Sequence, residues 1–177
     1  PINPADMNLI EGVYGMKATF PAFGGQEGVG VVQKVGSGVK DFSEGDWVIP
    51  ASGASGFGTW REEAIADVKQ LQKIANDIPP AYAATISVNP CTAYRMLRDF
   101  VTLKPGDVIM QNAANSMVGL AVVQMAREMG VKTINIIRSD RPDADVTLRL
   151  LSNYGGDVNV LDSYVNTPGF RGILSDL

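Results

Sequence analysis

The chain has 177 residues, 45% hydrophobic and 19% charged, with 15 basic and 19 acidic side chains and a net charge of −4, enough for one medium domain or two small ones. With no histidine and a single cysteine, Cys91, it excludes Ser-His-Asp or Cys-His catalysis within the chain, an internal disulfide and a Cys/His zinc site. Lys and Arg are scattered and no apolar run approaches the roughly 18 residues that cross a bilayer, so neither a nucleic-acid nor a membrane partner is expected.

The chain opens on Pro1, without a basic-then-apolar leader, and its natural start and any targeting segment are expected to lie outside it. Val29, Val31, Val32 and Val35 are good strand formers, flanked by turn residues at Gly36–Gly38 and Ser43–Asp46. They predict short antiparallel strands over 28–35 and 46–50. Residues 51–59 read as a Gly/Ser loop. Trp60–Ile65 and Leu71–Ile74 read as further strands, so residues 1–78 look β-rich and barrel-like.

From Ile78-Pro79-Pro80 onward the character changes. Prolines just inside a helix start predict a short helix over 80–88. A second helix is expected over 91–101, with Ala93, Met96, Leu97 and Phe100 on one face. A turn at Pro105-Gly106-Asp107 leads into a buried strand, Val108–Gln111. The next helix, Met117 to Gly130, carries Val118, Ala121, Val122, Met125 and Met129 on one face, and Gly130 suits its stop. A strand at Lys132–Arg138, a helix at 143–153 and a strand at Asp157–Leu161 follow. Strands alternating with helices predict a parallel sheet.

The strand, loop and helix at 108–130 have a dinucleotide-binding layout. Only Gly119 stands where the Gly-x-Gly-x-x-Gly fingerprint expects a glycine; Asn112-Ala113-Ala114-Asn115-Ser116-Met117-Val118 fills the rest. Small residues let backbone approach a pyrophosphate, and a helix N-terminus turns amides and partial positive charge toward it. The plainer alternative is a helix capped by Asn115 or Ser116. The following strand ends in Arg138-Ser139-Asp140-Arg141-Pro142, where an NAD site usually carries an acid. Arginine there suits a 2′-phosphate, which favours NADPH. Asp140 either neutralises its neighbours or accepts from the ribose.

Asn3-Pro4-Ala5-Asp6 with Asn8, Gly12-Val13-Tyr14, Gly25-Gln26-Glu27-Gly28, Gly45–Pro50, Gly58–Arg61, Val88–Leu97 and Gln111–Gly119 follow one another in a family order. Together with the Arg-Pro-Asp end they make the chain resemble the mitochondrial trans-2-enoyl-CoA reductases, a metal-free branch of the medium-chain dehydrogenases/reductases. The resemblance implies an α/β chain: a partial GroES-like β-barrel over 1–78, then the first half of a Rossmann doubly wound parallel sheet over 79–177 that binds NADPH. It implies a mitochondrial enzyme of fatty acid synthesis acting on enoyl-CoA or enoyl-acyl carrier protein, and a homodimer when full length.

It also implies roles. Tyr14 matches the catalytic tyrosine. Asn89 and Thr92 lie where the cofactor is contacted near its nicotinamide end. Asn115, Ser116, Met117, Val118 and Gly119 match the phosphate loop, and Arg138 and Arg141, with Asp140 between them, the 2′-phosphate grip. In the implied reaction hydride adds to the β-carbon of a conjugated thioester, and a phenol donates to the thioester oxygen or supplies the α-carbon proton. Complete family members are about twice as long, so this chain by itself is expected to be weak or inactive. An NADPH-dependent quinone or enone reductase, and a non-catalytic truncated form acting as a regulatory or dimerising module, are the alternatives. Cys91 lacks a base partner and is not read as a nucleophile.

Overall fold

The computed structural model describes residues 1–51 and 56–177. The loop expected over 51–59 lies partly outside them. The chain divides into two compact units, Pro1–Val88 and Asn89–Leu177. The helix that follows Pro79-Pro80 therefore belongs to the first unit, and the division falls ten residues beyond the 78/79 boundary expected from sequence.

In the first unit, helix α1 (Pro4–Ile10) precedes three short strands, β1 (Gly30–Val31), β2 (Trp47–Pro50) and β3 (Leu71–Ile74), and helix α2 (Pro80–Thr85) closes it. The strands form one antiparallel sheet in the order β1-β2-β3. Val48 and Ile49 of the central strand are buried. The strand expected over 28–35 is regular for two residues only. Beyond it Val32 continues the pairing irregularly, donating to the Asp46 carbonyl and accepting from the Gly45 amide.

The strand expected at Trp60–Ile65 does not form. Thr59 and Trp60 instead donate their amides to the carbonyls of Gly25 and Gly24. The Trp60 indole lies so close to both glycines that a Cβ on either would come within 2.6 Å of the ring. Close packing on bare backbone, and not a regular strand, holds Thr59 and Trp60.

The second unit comprises α3 (Asn89–Arg98), β4 (Val108–Gln111), α4 (Met117–Glu128), β5 (Lys132–Ile137), α5 (Ala144–Asn153), β6 (Val158–Leu161) and α6 (Pro168–Asp176). The three strands are parallel in the order β4-β5-β6. Alternation along them sends Ile137 and Leu161 toward Val123 and Leu120 of α4 and Leu151 and Leu148 of α5. Ile134 and Val160 face Phe170 of α6 on the opposite side. The sheet thus carries helices on both faces, as the Rossmann half requires. A third cluster joins Ala93 and Leu97 of α3 to Val122, with Val118, Ala121, Met125 and Met129 around it.

The face expected on α3 is narrower than its periodicity implied: Met96 is 48% exposed, and Phe100, past the helix end, 82%. Spacing alone could not tell the two sides of that stripe apart. Helix α6, absent from the sequence reading, starts on Thr167, whose hydroxyl accepts from the Phe170 amide at 3.3 Å, with Pro168 next. Among the described residues no helix is long and apolar enough to cross a membrane.

Candidate functional site

The turn from β4 into α4 is built by small residues under unusual constraint. Ala113 adopts φ +48, a left-handed conformation that costs a residue with a Cβ about 1–2 kcal/mol. It lets the buried Ala114 donate its amide to the Ile136 carbonyl at 3.2 Å, which ties the loop to β5. Ser116 caps α4: its Oγ accepts from the Gly119 amide at 3.0 Å and its carbonyl from Leu120 at 2.8 Å. The cap is Ser116, then, and not Asn115, which is half-buried in the turn. Met117 and Val118 contribute the first-turn amides that a helix cannot satisfy itself.

Gly119 makes the close approach possible. A Cβ there would stand 2.5 Å from the Ala114 carbonyl oxygen and 2.7 Å from its carbonyl carbon. Loop backbone and helix backbone meet with no side chain between them. A diphosphate needs this kind of cradle: bare backbone, a hydroxyl cap and the positive end of a 12-residue helix. The residues present fit a dinucleotide, even without the first two fingerprint glycines.

Arg138, Asp140 and Arg141 follow the end of β5, the strand beside β4. They differ in availability. Arg138 is 76% exposed and only loosely paired, its Nε 3.7 Å from Asp140 Oδ1. Arg141 is committed to Asp143 by two bonds, Nε to Oδ1 at 2.6 Å and a terminal nitrogen to Oδ2 at 2.8 Å. That pairing holds the Asp143 carboxyl below the usual carboxylate range and raises the Arg141 guanidinium above its ordinary value. Ser139 is anchored too: its amide donates to Asp162 at 2.9 Å. Hydrogen bonds from Ser139, hydroxyl then amide, chiefly depress the Asp162 carboxyl, and the Arg138 charge adds to the effect. Arg138 is therefore the cation best placed to meet a new anion.

Asn89, half-buried, opens α3, and Thr92 lies exposed on its first turn. Cys91, between them, is exposed. Tyr14 belongs to the first unit and is half-buried just after α1. Gly12, at φ +71, ends that helix, and the amides of Val13 and Tyr14 both donate to the Asn8 carbonyl, at 3.0 and 3.1 Å. Asn8 and Gly12 thereby fix the backbone that presents the phenol. Among the described residues no group of three or more His, Cys, Asp or Glu side chains could hold a metal ion.

Two polar constructions escaped the sequence reading. Glu27 is 1% exposed. It accepts from the Asn3 side chain at 2.8 Å, the Val88 amide at 3.0 Å and the Ser87 hydroxyl at 3.3 Å. In sequence it was one letter of a glycine-rich signature, with nothing to announce burial. The second is a row of amides, Gln111, Asn135 and Asn159, bonded side by side beneath α4 and α5. Their equal spacing of 24 residues carries no meaning until strand register is known.

Residues 1–76 match the alcohol dehydrogenase GroES-like domain. The whole chain is 51% identical to the mitochondrial enoyl-acyl-carrier-protein reductase of Dictyostelium discoideum, over 100% of this chain and 50% of that protein. The structure of the Etr1p/NADP/crotonyl-CoA complex superposes with a TM-score of 0.89 at 36% identity, over 99% of this chain and 53% of that one. Along its whole length the chain is similar to mitochondrial enoyl thioester reductases. The mitochondrial 2-enoyl thioester reductase Etr1p/Etr2p heterodimer from Candida tropicalis is similar to the same extent, with a TM-score of 0.88 and 36% identity, covering 99% of this chain and 53% of the other. The chain spans about half the length of the enoyl thioester reductases it matches.

Proposed function

We propose that the whole protein reduces trans-2-enoyl thioesters, carried on CoA or acyl carrier protein, with NADPH, in mitochondria and as a homodimer. What supports the reading is identity of 51% along all 177 residues, together with a loop packed backbone to backbone on the first turn of α4 at Gly119, as the last glycine of the dinucleotide fingerprint allows. In this reading Asn115, Ser116, Met117, Val118 and Gly119 hold the pyrophosphate. Arg138 grips the 2′-phosphate, Arg141 shapes the turn through Asp143, and Asp140 either neutralises its neighbours or accepts from the ribose. Asn89 and Thr92 serve the nicotinamide end.

NADPH, when bound, supplies the hydride that adds to the β-carbon of the enoyl thioester. The chain's own contribution is to place a donor where charge gathers. The Tyr14 phenol donates to the thioester oxygen as it becomes an enolate, and a proton reaches the α-carbon from the same group. Asn8 holds the Tyr14 backbone in place for this through its carbonyl. The test is cofactor oxidation by the whole protein with a trans-2-enoyl-CoA. Oxidation of NADPH, with NADH much poorer, supports the reading; indifference to enoyl thioesters overturns it.

A further inference from the structure

Gln111, Asn135 and Asn159 are register partners, Gln111 opposite Asn135 and Asn135 opposite Asn159. All three point into the apolar layer under α4 and α5, alongside Ile137 and Leu161. Polar groups are costly there unless bonded, and these are bonded in one direction. Gln111 Nε2 donates to Asn135 Oδ1 at 2.8 Å, and Asn135 Nδ2 donates to Asn159 Oδ1 at 2.9 Å and to Thr133 Oγ1 at 2.9 Å. Asn159 Nδ2 donates to the Gly156 carbonyl and to Ser152 Oγ, both at 3.0 Å. Aligned donors of this kind reinforce one another. Gly156 is bare where a Cβ would meet Asn159 Oδ1 at 2.5 Å and Asn135 Nδ2 at 2.6 Å, so the fold makes room for the row.

The row has a second end. Gln111 Nε2 also donates to the Gly119 carbonyl at 3.1 Å. Gln111 is the last residue of β4 and Gly119 lies in the first turn of α4, so this bond spans the loop from beneath. With Ala114 tied to Ile136, it fixes the first turn of α4 relative to the sheet. We propose that the Gln111–Asn135–Asn159 ladder positions the α4 amides for the pyrophosphate of the cofactor, acting through the Gly119 carbonyl. Gln111 is thus a positioning residue that touches no ligand. The inference rests on the reading of this loop as the NADPH site.

The test compares two ligands on the whole protein by calorimetric titration: NADP+, which has a pyrophosphate, and 2′-AMP, which has only the phosphate expected at Arg138. Gln111→Met removes the donor while keeping the length of the side chain. It is expected to weaken NADP+ about tenfold while 2′-AMP stays within about twofold of wild type. Because Gln111→Met also strands Asn135 Oδ1 and so lowers stability, Phe170→Ala, which loosens the core on the opposite face of the sheet, is measured beside it. Its melting temperature is expected to fall at least as far while NADP+ stays within about twofold of wild type. Equal weakening of both ligands in Gln111→Met, unchanged NADP+ binding there, or equal weakening of NADP+ in Phe170→Ala overturns the proposal. A wild-type protein that binds neither ligand overturns the cofactor reading itself, a result distinct from failure of the ladder alone.

Discussion

Gly119→Ala sets two magnitudes against each other. Inside a helix, alanine is favoured over glycine by about 0.8–1.0 kcal/mol. At Gly119 the added methyl would meet the Ala114 carbonyl oxygen at 2.5 Å and its carbonyl carbon and Cα at 2.7 Å. All three are backbone atoms of a fully buried residue tied to Ile136, so no rotamer change relieves the contact. Overpacking of this kind costs about 1–3 kcal/mol, which exceeds the propensity gain over most of its range. The net expectation is destabilisation of about 0–2 kcal/mol and weaker NADPH binding, since the loop must retreat from the helix. Gly172 in α6 is the control: nothing stands within 4 Å of its Cβ position, and Gly172→Ala is expected to stabilise by about 0.5–1 kcal/mol. Urea denaturation of the whole protein, with and without cofactor, reads both. A Gly119→Ala variant as stable as wild type, with undiminished NADPH affinity, would refute the close approach and the cradle drawn from it.

Three other outcomes follow. Arg138→Ala should weaken NADPH about 10- to 100-fold and leave NADH unchanged, whereas Arg141→Ala, acting through Asp143, should produce a smaller change; titration with both nucleotides checks the contrast. Asp143 and Asp162 are depressed below their ordinary value of 3.8, so their stabilisation is complete above that value and is lost as pH falls through the lower folded-state values. Melting temperatures across the acid range, taken without cofactor, should show a decline below pH 3.8 that flattens in Asp143→Asn; an unflattened decline would count against the pairing. Glu27→Gln turns an acceptor bonded by Asn3, Ser87 and Val88 into a group that places a donor against donors. It should cost about 1–3 kcal/mol in urea denaturation, and a neutral result would mean that these groups are not held as described.

The second unit was more legible in sequence than the first, for a physical reason. Its strands are short apolar runs between Gly and Pro signals, so the expected strand matches Val108–Gln111 to the residue and Lys132–Ile137 to within one. The α4 face follows from period, whereas side-chain chemistry leaves the cap open between Asn115 and Ser116 until the structure assigns it to Ser116. The first unit is organised by close backbone contacts, at Trp60 on Gly24 and Gly25 above all, which leave no alternating pattern. Helix α1 has a start signal in Asn3-Pro4-Ala5-Asp6 but only seven residues and no apolar face to mark it: Pro4 sits at the first position, and Asp6 accepts from the Asn3 amide at 2.7 Å. The strand–loop–helix layout at 108–119 is visible in sequence as a pattern, but not the strain at Ala113 or the bond beneath it from Gln111. Neither has a local signature, since one is a backbone angle and the other depends on strand pairing.

The central claim is enoyl thioester reduction with Tyr14 as donor. Its most direct test is the turnover of a trans-2-enoyl-CoA by the whole protein and by its Tyr14→Phe variant, with NADPH affinity measured on both. Turnover is expected to fall about 100- to 10,000-fold while NADPH binding is unchanged. Full turnover in Tyr14→Phe would contradict the role of the phenol, and a wild-type protein that reduces quinones but ignores enoyl thioesters would contradict the substrate.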